Sequence, residues 1–128
     1  MTLSPDTDLD WTLNEYQHEA MNTSADLTTT ERTFSADEQG LILSALGLAG
    51  ESGEMADHIK KWMAQGHELD FQKLDKEAGD ILWYLARYAH ARHTTLDKIA
   101  RENRRKLMAR YPSGFDTQRS LNRPEGTE

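Results

Sequence analysis

The chain has 128 residues with 22 acidic and 15 basic side chains, a formal net charge of −7 and no cysteine. This length suits one domain, and the acidic balance argues against binding to a nucleic-acid backbone. The absence of cysteine excludes disulfides and thiolate zinc sites. No apolar run approaches the roughly 18 residues of a membrane span, and residues 1–6 are polar where a signal peptide is basic and then apolar. We therefore expect a soluble, cytoplasmic protein that binds neither nucleic acid nor membranes.

The N-terminal quarter of the sequence predicts an arm, a short helix and a loop. Residues 1–10 are polar and rich in aspartate, so we expect a flexible arm there. Thr12 and Glu15 match a capping box, which predicts a first helix over about residues 13–22. Residues 23–33 are rich in threonine and have no helical period, so they predict a loop.

Three longer helices are predicted after this loop. Ser35 and Glu38 form a second capping box, which should begin a long helix that ends near Gln65. Gly66 suits a helix C-cap and Asp70 suits the next N-cap, so the turn between them predicts an antiparallel helical hairpin. No segment alternates as a strand would, and the expected fold class is all-α, with four to five helices in a bundle. The three longer helices should cover about residues 36–65, 71–91 and 96–110.

The apolar residues of these helices predict the core. We expect Leu82 and the large aromatic rings of Trp62 and Trp83 inside the bundle, because large aromatics at helical spacing are usually core residues. On the fourth helix the predicted inward stripe consists of Leu96, Ile99, Ala100, Asn103 and Leu107.

Three glycines in the second helix, at positions 47, 50 and 53, need an explanation. Each costs about 1 kcal/mol relative to alanine in a helix interior, so we expect a neighbouring helix or a ligand to approach closely there. Beyond the helices, the last residues have little to bury. We therefore assign residues 11–115 to a single helical domain and residues 116–128 to a mobile tail.

Two short acidic motifs of the same form lie on the two helices of the hairpin. Glu51 and Glu54 precede Gly66 by 15 and 12 positions, and Glu77 and Asp80 follow it by 11 and 14. Residues three apart share a helical face, and the two pairs are level across an antiparallel turn. The spacing therefore predicts that four carboxylates converge.

Such a cluster requires a cation. Four like charges would repel by about 4 kcal/mol per pair at 4 Å and an effective dielectric near 20. Oxygen-only ligands without cysteine suit a hard ion such as Mg²⁺, with Mn²⁺ as a substitute ion, and Mg²⁺ held by carboxylates is commonly completed by substrate phosphates. The motifs thus indicate phosphate chemistry, although a single acidic motif on a helix is usually only a solvated face.

The fourth helix carries the opposite charge. Residues 101–110 include five basic residues and one acidic residue, a local balance of +4 in an acidic chain. Lys106 follows Asn103 by three positions and could contact phosphate oxygens, as could Lys61 on the second helix. The alternative is a solvated basic helix end. His58 lies four residues after Glu54, but its sequence neighbours favour an exposed face, and we do not assign it to the site.

At these residues the sequence resembles the MazG-like nucleoside triphosphate pyrophosphohydrolases of the all-α NTP pyrophosphatase superfamily. The resemblance extends over roughly residues 15–115. Besides the two acidic motifs, it rests on Leu46-Gly47-Leu48-Ala49-Gly50-Glu51, on Asp80-Ile81-Leu82-Trp83-Tyr84-Leu85, and on the segments Lys106-Leu107 and Arg110-Tyr111-Pro112.

The resemblance implies a Mg²⁺-dependent cleavage between the α and β phosphates, which gives a nucleoside monophosphate and pyrophosphate. It also implies that Asn103 and Lys106 match the asparagine and lysine with which the family contacts substrate phosphate. On this hypothesis Glu51, Glu54, Glu77 and Asp80 bind the metal, which lowers the pKa of a bound water. One carboxylate that the metal does not saturate would orient that water as general base, and we favour Glu54.

Other functions remain open from the sequence. Relatives with narrower substrates, such as all-α dUTP or dCTP pyrophosphatases and phosphoribosyl-ATP pyrophosphatase, share the acidic motifs. A di-iron bundle is disfavoured because neither motif ends in histidine. A non-catalytic helical interaction module would explain the amphipathic helices but not the level carboxylates. Because a hairpin leaves apolar faces open, we also expect a homodimer or a dimer of dimers, with a substrate cleft partly between subunits.

Overall fold

The computed structural model describes residues 12–26 and 32–126, and these are all-helical with no strand. The chain divides into two compact units, Met1–Thr33 and Phe34–Glu128, each of which is described by itself. The helices are α1 (Leu13–Ala20), a 3₁₀ turn (Met21–Thr23), α2 (Ala36–Gln65), α3 (Phe71–Ala91), α4 (Leu96–Arg110) and α5 (Thr117–Leu121). None of the helices in the described part is both long enough and apolar enough to cross a membrane.

The first unit contains α1 and its predicted cap. The Thr12 side chain accepts from the Glu15 backbone N–H at 3.2 Å, and the Glu15 carboxylate accepts from the Thr12 N–H at 2.8 Å. The capping box is therefore confirmed. The helix ends at Ala20, and the last residues of the predicted span form the 3₁₀ turn instead. The predicted arm at residues 1–10 lies outside the described residues, as does much of the predicted loop.

In the second unit, α2 and α3 form the predicted antiparallel hairpin. Ser35 and Glu38 make the second capping box, and Asp70 caps α3 by accepting from the Lys73 backbone N–H. Gly66 ends α2 at φ 72°, in the left-handed region where an L side chain is strained. The predicted bounds of α2, α3 and α4 match the observed ones. These local signals sufficed because each satisfies backbone groups that a helix end leaves unpaired.

Small residues set the distance between α2 and α3. Gly40 and Ser44 on α2 and Ala89 and Ala91 on α3 are buried. A Cβ at Gly40 would lie 3.0 Å from the Ala91 Cβ. The Ser44 hydroxyl donates to the Gly40 carbonyl at 2.7 Å, so it needs no partner across the interface. The two helices therefore approach closely where α2 begins and α3 ends.

The connection after α3 is tied back to α2. His93 has a left-handed φ of 51°, and its Nε2 lies 2.7 Å from the Asp37 carboxylate in the first turn of α2. This contact joins the start of α2 to the α3–α4 turn.

The expected close approach at the three glycines is confirmed at one of them. A Cβ at Gly47 would overlap the ring of Tyr84, whereas no described atom lies within 4 Å of a Cβ at Gly50 or Gly53. The prediction of a neighbouring helix at Gly50 and Gly53 was wrong, because the hairpin register places only Gly47 under α3. A ligand at these two positions stays a prediction.

The expected core was only partly correct. Leu82 is 61% exposed, and Trp62 and Trp83 are 48% and 56% exposed. The predicted inward stripe of α4 is also exposed, including Asn103. The reason is that α4 touches α3 at only a few residues, so no element of the second unit covers these side chains. Helical spacing identified amphipathic faces, but it did not show that the faces would be covered within one chain.

The C-terminal segment contains a helix that the sequence analysis did not predict. Asp116 caps α5, and Arg119 extends from it to the end of α4. The guanidinium donates to the backbone carbonyls of Arg110 and Ala109 at 2.6 and 3.3 Å, which satisfies carbonyls that a helix end leaves unpaired. The proposed limits of the domain and the mobility of the tail stay predictions.

The contact between Gly47 and Tyr84 yields a stability prediction. Gly47→Ala and Gly50→Ala should gain the same helix propensity, but only the first introduces a methyl group beneath a ring. We expect Gly47→Ala to be less stable than Gly50→Ala by about 1–3 kcal/mol, the usual cost of overpacking. Urea denaturation followed by circular dichroism measures the difference.

The control removes the ring. In a Tyr84→Ala background the two glycine substitutions should have equal effects on the free energy of unfolding, because the added methyl group meets no ring. An unchanged difference in that background would contradict the assigned contact.

Candidate metal centre

Three carboxylates from the two hairpin helices meet at one point. Each of Glu51, Glu77 and Asp80 offers an oxygen, and these oxygens all lie within 4.8 Å of one another. Glu51 and Glu77 are half-buried between the helices, and Asp80 is exposed. The predicted convergence is thus observed for three of the four acidic residues.

The hairpin register brings these residues together. Gly40 faces Ala91 and Gly47 faces Tyr84, so seven steps forward along α2 match seven steps back along α3. Four further steps in each direction lead to Glu51 on α2 and Asp80 on α3. The cluster therefore depends on the same packing that places Gly47 beneath the ring of Tyr84.

The carboxylates are electrostatically coupled. Partial burial raises the pKa of Glu51, and a hydrogen bond to Glu77 and the negative charges of Glu54 and Asp80 raise it further. Binding of a proton to Glu51 reduces the repulsion among these carboxylates, and a bound cation would reduce it without that proton.

The donor set fits a hard divalent ion. All three side chains offer oxygen, and three carboxylates leave coordination positions for water and substrate. The hydrogen bond between Glu51 and Glu77 indicates how close two like groups are held without a cation. Glu51, Glu77 and Asp80 are therefore the residues of the hairpin that would hold Mg²⁺ or Mn²⁺.

Glu54, the fourth predicted ligand, lies outside this group. It is exposed, and it lines a shallow surface pocket of about 450 Å³ together with Gly50, Gly53 and Lys61. Its charge still raises the pKa of Glu51. Glu54 is therefore close enough to act on the cluster electrostatically without sharing its centre.

Lys61, which the sequence analysis assigned to phosphate, lies in the same pocket and is half-buried. It is already paired with Asp57, whose carboxylate lies 2.5 Å from Lys61 Nζ and 2.6 Å from Lys60 Nζ. The two lysines lower the pKa of Asp57 to about 2. To bind an anion, Lys61 would exchange this partner.

The two predicted phosphate contacts on α4 are not brought to the carboxylates. Asn103 is exposed and lines a separate pocket of about 340 Å³ that consists of α4 residues and Tyr111. Lys106 is half-buried on the same helix. Their roles stay predictions.

The sequence analysis missed His58. Its imidazole does not point to solvent as expected, because Nε2 lies 3.4 Å from Glu77 Oε1 and the side chain is only 31% exposed. The signal was present in the sequence, since His58 follows Glu51 by seven residues and α-helical residues seven apart share a face.

An apolar groove continues from the carboxylates along the hairpin. It has a volume of about 650 Å³, and one helical turn separates its nearest residues, Leu48 and Tyr84, from Glu51 and Asp80. We call it the α2–α3 groove, and its main apolar side chains are Leu41, Leu48, Tyr84, Leu85 and Tyr88.

The chain is similar in sequence to known proteins. The model of the MazG nucleotide pyrophosphohydrolase domain matches residues 39–115, more than half of the chain. The "Gene 37 protein" of Mycobacterium phage L5 is 32% identical over 80 residues, and the alignment covers 59% of this chain and 70% of that protein. No solved structure matches the chain at a significant level.

The raised pKa of Glu51 yields a pH prediction for the metal-free protein. Between the usual value of 4.5 and the raised value, the folded state binds a proton that the unfolded chain has released. The contribution of Glu51 to the free energy of unfolding therefore falls as the pH rises through this range. We expect Glu51→Gln to stabilise the protein at pH 7 in the presence of EDTA and to have little effect at pH 4.

Chemical denaturation at the two pH values measures this difference, and Glu68→Gln, an exposed residue in the α2–α3 turn, is the matched control. The control should change stability equally at both values. An effect of Glu51→Gln that does not depend on pH would contradict the assigned coupling.

Proposed function

Because the chain belongs to the MazG nucleotide pyrophosphohydrolase family, we propose that it hydrolyses nucleoside triphosphates to nucleoside monophosphates and pyrophosphate with the help of Mg²⁺. The observation that carries this proposal is the cluster of Glu51, Glu77 and Asp80 on two adjacent helices. Surface carboxylates that serve only solubility have no reason to face one another across a hairpin.

A bound Mg²⁺ would polarise the phosphate and lower the pKa of a coordinated water. The residues of the chain have two tasks in this reaction. Glu51, Glu77 and Asp80 hold the cation, and Glu54 acts as general base. Glu54 suits the second task because it lies beside the cluster but outside the group of ligand oxygens, so its carboxylate stays free to orient water.

We propose that basic side chains bind the phosphates that the cation does not reach. Lys61 lies in the same surface pocket as Glu54, so it can serve the carboxylate site of its own chain. Asn103 and Lys106 lie on α4, which makes little contact with the hairpin. Their participation therefore requires either a movement of α4 or the α4 of a second copy.

We further propose that the chain is a homodimer or a dimer of dimers. Among the described apolar residues only Ala89 and Ala91 are buried, while large side chains such as Leu46 remain 69% exposed. Exposed apolar surface on this scale is typical of a face that another subunit covers. The α2–α3 groove and the apolar side of α4 are the surfaces that we assign to this interface. The predicted cytoplasmic setting stays a prediction.

Product identity tests the activity. With Mg²⁺ and a panel of ribo- and deoxyribonucleoside triphosphates, we expect pyrophosphate and monophosphate, and no reaction in EDTA. Glu54→Gln should lower kcat by roughly 10²–10⁴-fold, the usual contribution of a general base. Glu68→Gln is the control and should retain full activity.

Each other product pattern has a definite meaning. Orthophosphate and nucleoside diphosphate would contradict attack at the α-phosphorus. Turnover of only dUTP, dCTP or phosphoribosyl-ATP would assign a narrower member of the superfamily, and no turnover of any nucleotide would favour the helical interaction module.

Sedimentation equilibrium tests the association. We expect a mass of at least twice the 14.6 kDa of one chain. Leu85→Glu places a charge in the α2–α3 groove and should shift the protein to monomers. Leu121 is an exposed leucine on α5, and Leu121→Glu is the control. This variant should keep the same mass as the wild type. A wild-type protein that sediments as a folded monomer would contradict the proposed interface.

A further inference from the structure

Glu77 is contacted by two polar side chains of α2. Glu51 shares a hydrogen bond with it, and His58 approaches from the next part of α2, with Nε2 3.4 Å from Glu77 Oε1. The Glu77 side chain is the less exposed member of this pair, at 14% against 31% for His58. Among the residues that the structure describes, Glu77 is therefore the clustered carboxylate that forms an ion-pair contact with a basic side chain.

His58 has no part in the hydrolysis proposed above. It lies seven residues after Glu51, so the two side chains share a face of α2. That face therefore carries both Glu51, a proposed ligand, and His58, which contacts the proposed ligand Glu77. The adjacent Asp57 points away from this face and is paired with Lys60 and Lys61, whereas His58 contacts Glu77.

We propose that His58 is a positioning residue for Glu77. In this role the Nε2–H of His58 donates to Glu77 Oε1 and leaves Oε2 for the cation. The inference rests on the proposed metal role of Glu77, and it adds a residue outside both acidic motifs to the support of the site.

The physical argument concerns side-chain freedom. A glutamate has three rotatable side-chain bonds, and fixing such a side chain costs rotamer entropy. Glu51, the other side chain beside Glu77, is itself assigned to the cation, whereas His58 is not. A donor that is not itself a ligand can hold Glu77 in the same orientation before and after the cation binds. Hydrogen bonds of this kind to metal ligands are commonly worth 10–100-fold in metal affinity.

Metal binding by the free protein tests the proposal without any need for turnover. Mn²⁺ is titrated into full-length wild-type protein and followed by electron paramagnetic resonance. We expect His58→Ala to weaken Mn²⁺ binding by about 10–100-fold. His58→Gln retains an N–H donor at similar reach and should recover much of the affinity. His67→Ala, an exposed histidine in the α2–α3 turn, should bind Mn²⁺ as the wild type does.

Kinetics provide a second readout that a general loss of structure would not produce. If His58 only positions Glu77, the concentration of Mn²⁺ needed for half-maximal activity should rise in His58→Ala, while kcat at saturating Mn²⁺ changes little. Circular dichroism establishes that each variant is folded.

Three results would overturn the proposal. They are wild-type Mn²⁺ affinity in folded His58→Ala, equal losses in His58→Ala and His58→Gln, and no binding of Mn²⁺ by the wild type. Failure of the proposed function is distinct from these results. A wild-type protein that binds Mn²⁺ with the expected dependence on His58, yet releases no pyrophosphate, would leave the role of His58 intact and remove the hydrolase assignment.

Discussion

The close approach of α2 and α3 is the constraint on which the candidate site depends. Glycine and other small residues let the two backbones come near at Gly40 and Gly47, and this contact fixes the register of the hairpin. A helix packed through small residues has few alternative positions, because sliding by one residue would place a side chain where only hydrogen fits. The register also sets the positions of the carboxylates on the neighbouring turns of the two helices. The packing of two glycines in α2 therefore determines whether the three carboxylates can meet.

The packing of α2 against α3 brings negatively charged side chains together, and these charges repel one another. The helices hold Glu51 and Glu77 close enough to share a hydrogen bond, and partial burial together with the neighbouring carboxylates raises the pKa of Glu51. A divalent cation would reduce the repulsion, because its charge would compensate all three carboxylates at once. The repulsion between the carboxylates thus increases the affinity for a cation, because binding of the cation removes that repulsion. Partial burial strengthens the coupling, because water screens half-buried charges less than exposed ones.

The sequence was sufficient wherever the determining interactions are local. Ser35, Gly66 and Asp70 satisfy backbone groups within a few residues, so the ends of α2 and the start of α3 were predictable to the residue. The convergence of acidic residues from α2 and α3 was also predictable, because positions counted from one turn determine which residues are level, but the separation of Glu54 from the other three was not. The exposure of Trp83 and of the α4 stripe was not predictable. It depends on which element packs against an apolar helix face, and helical periodicity does not contain that information. The contact of Arg119 with the last carbonyls of α4 was missed for the same reason, because it joins residues on separate elements.

The separation of Glu54 from the other carboxylates has a chemical consequence. Two residues three apart on a helix differ by about 60° in direction, so Glu51 and Glu54 cannot both point at the same centre with equal ease. If all four carboxylates bound the cation, none would remain to accept a proton from the attacking water. Under the proposed function the tasks are divided: Glu51, Glu77 and Asp80, whose oxygens lie together, would hold the cation, and the exposed Glu54 would act as the base. The helical offset within one motif can therefore supply both a ligand and a base from residues that look equivalent in the sequence.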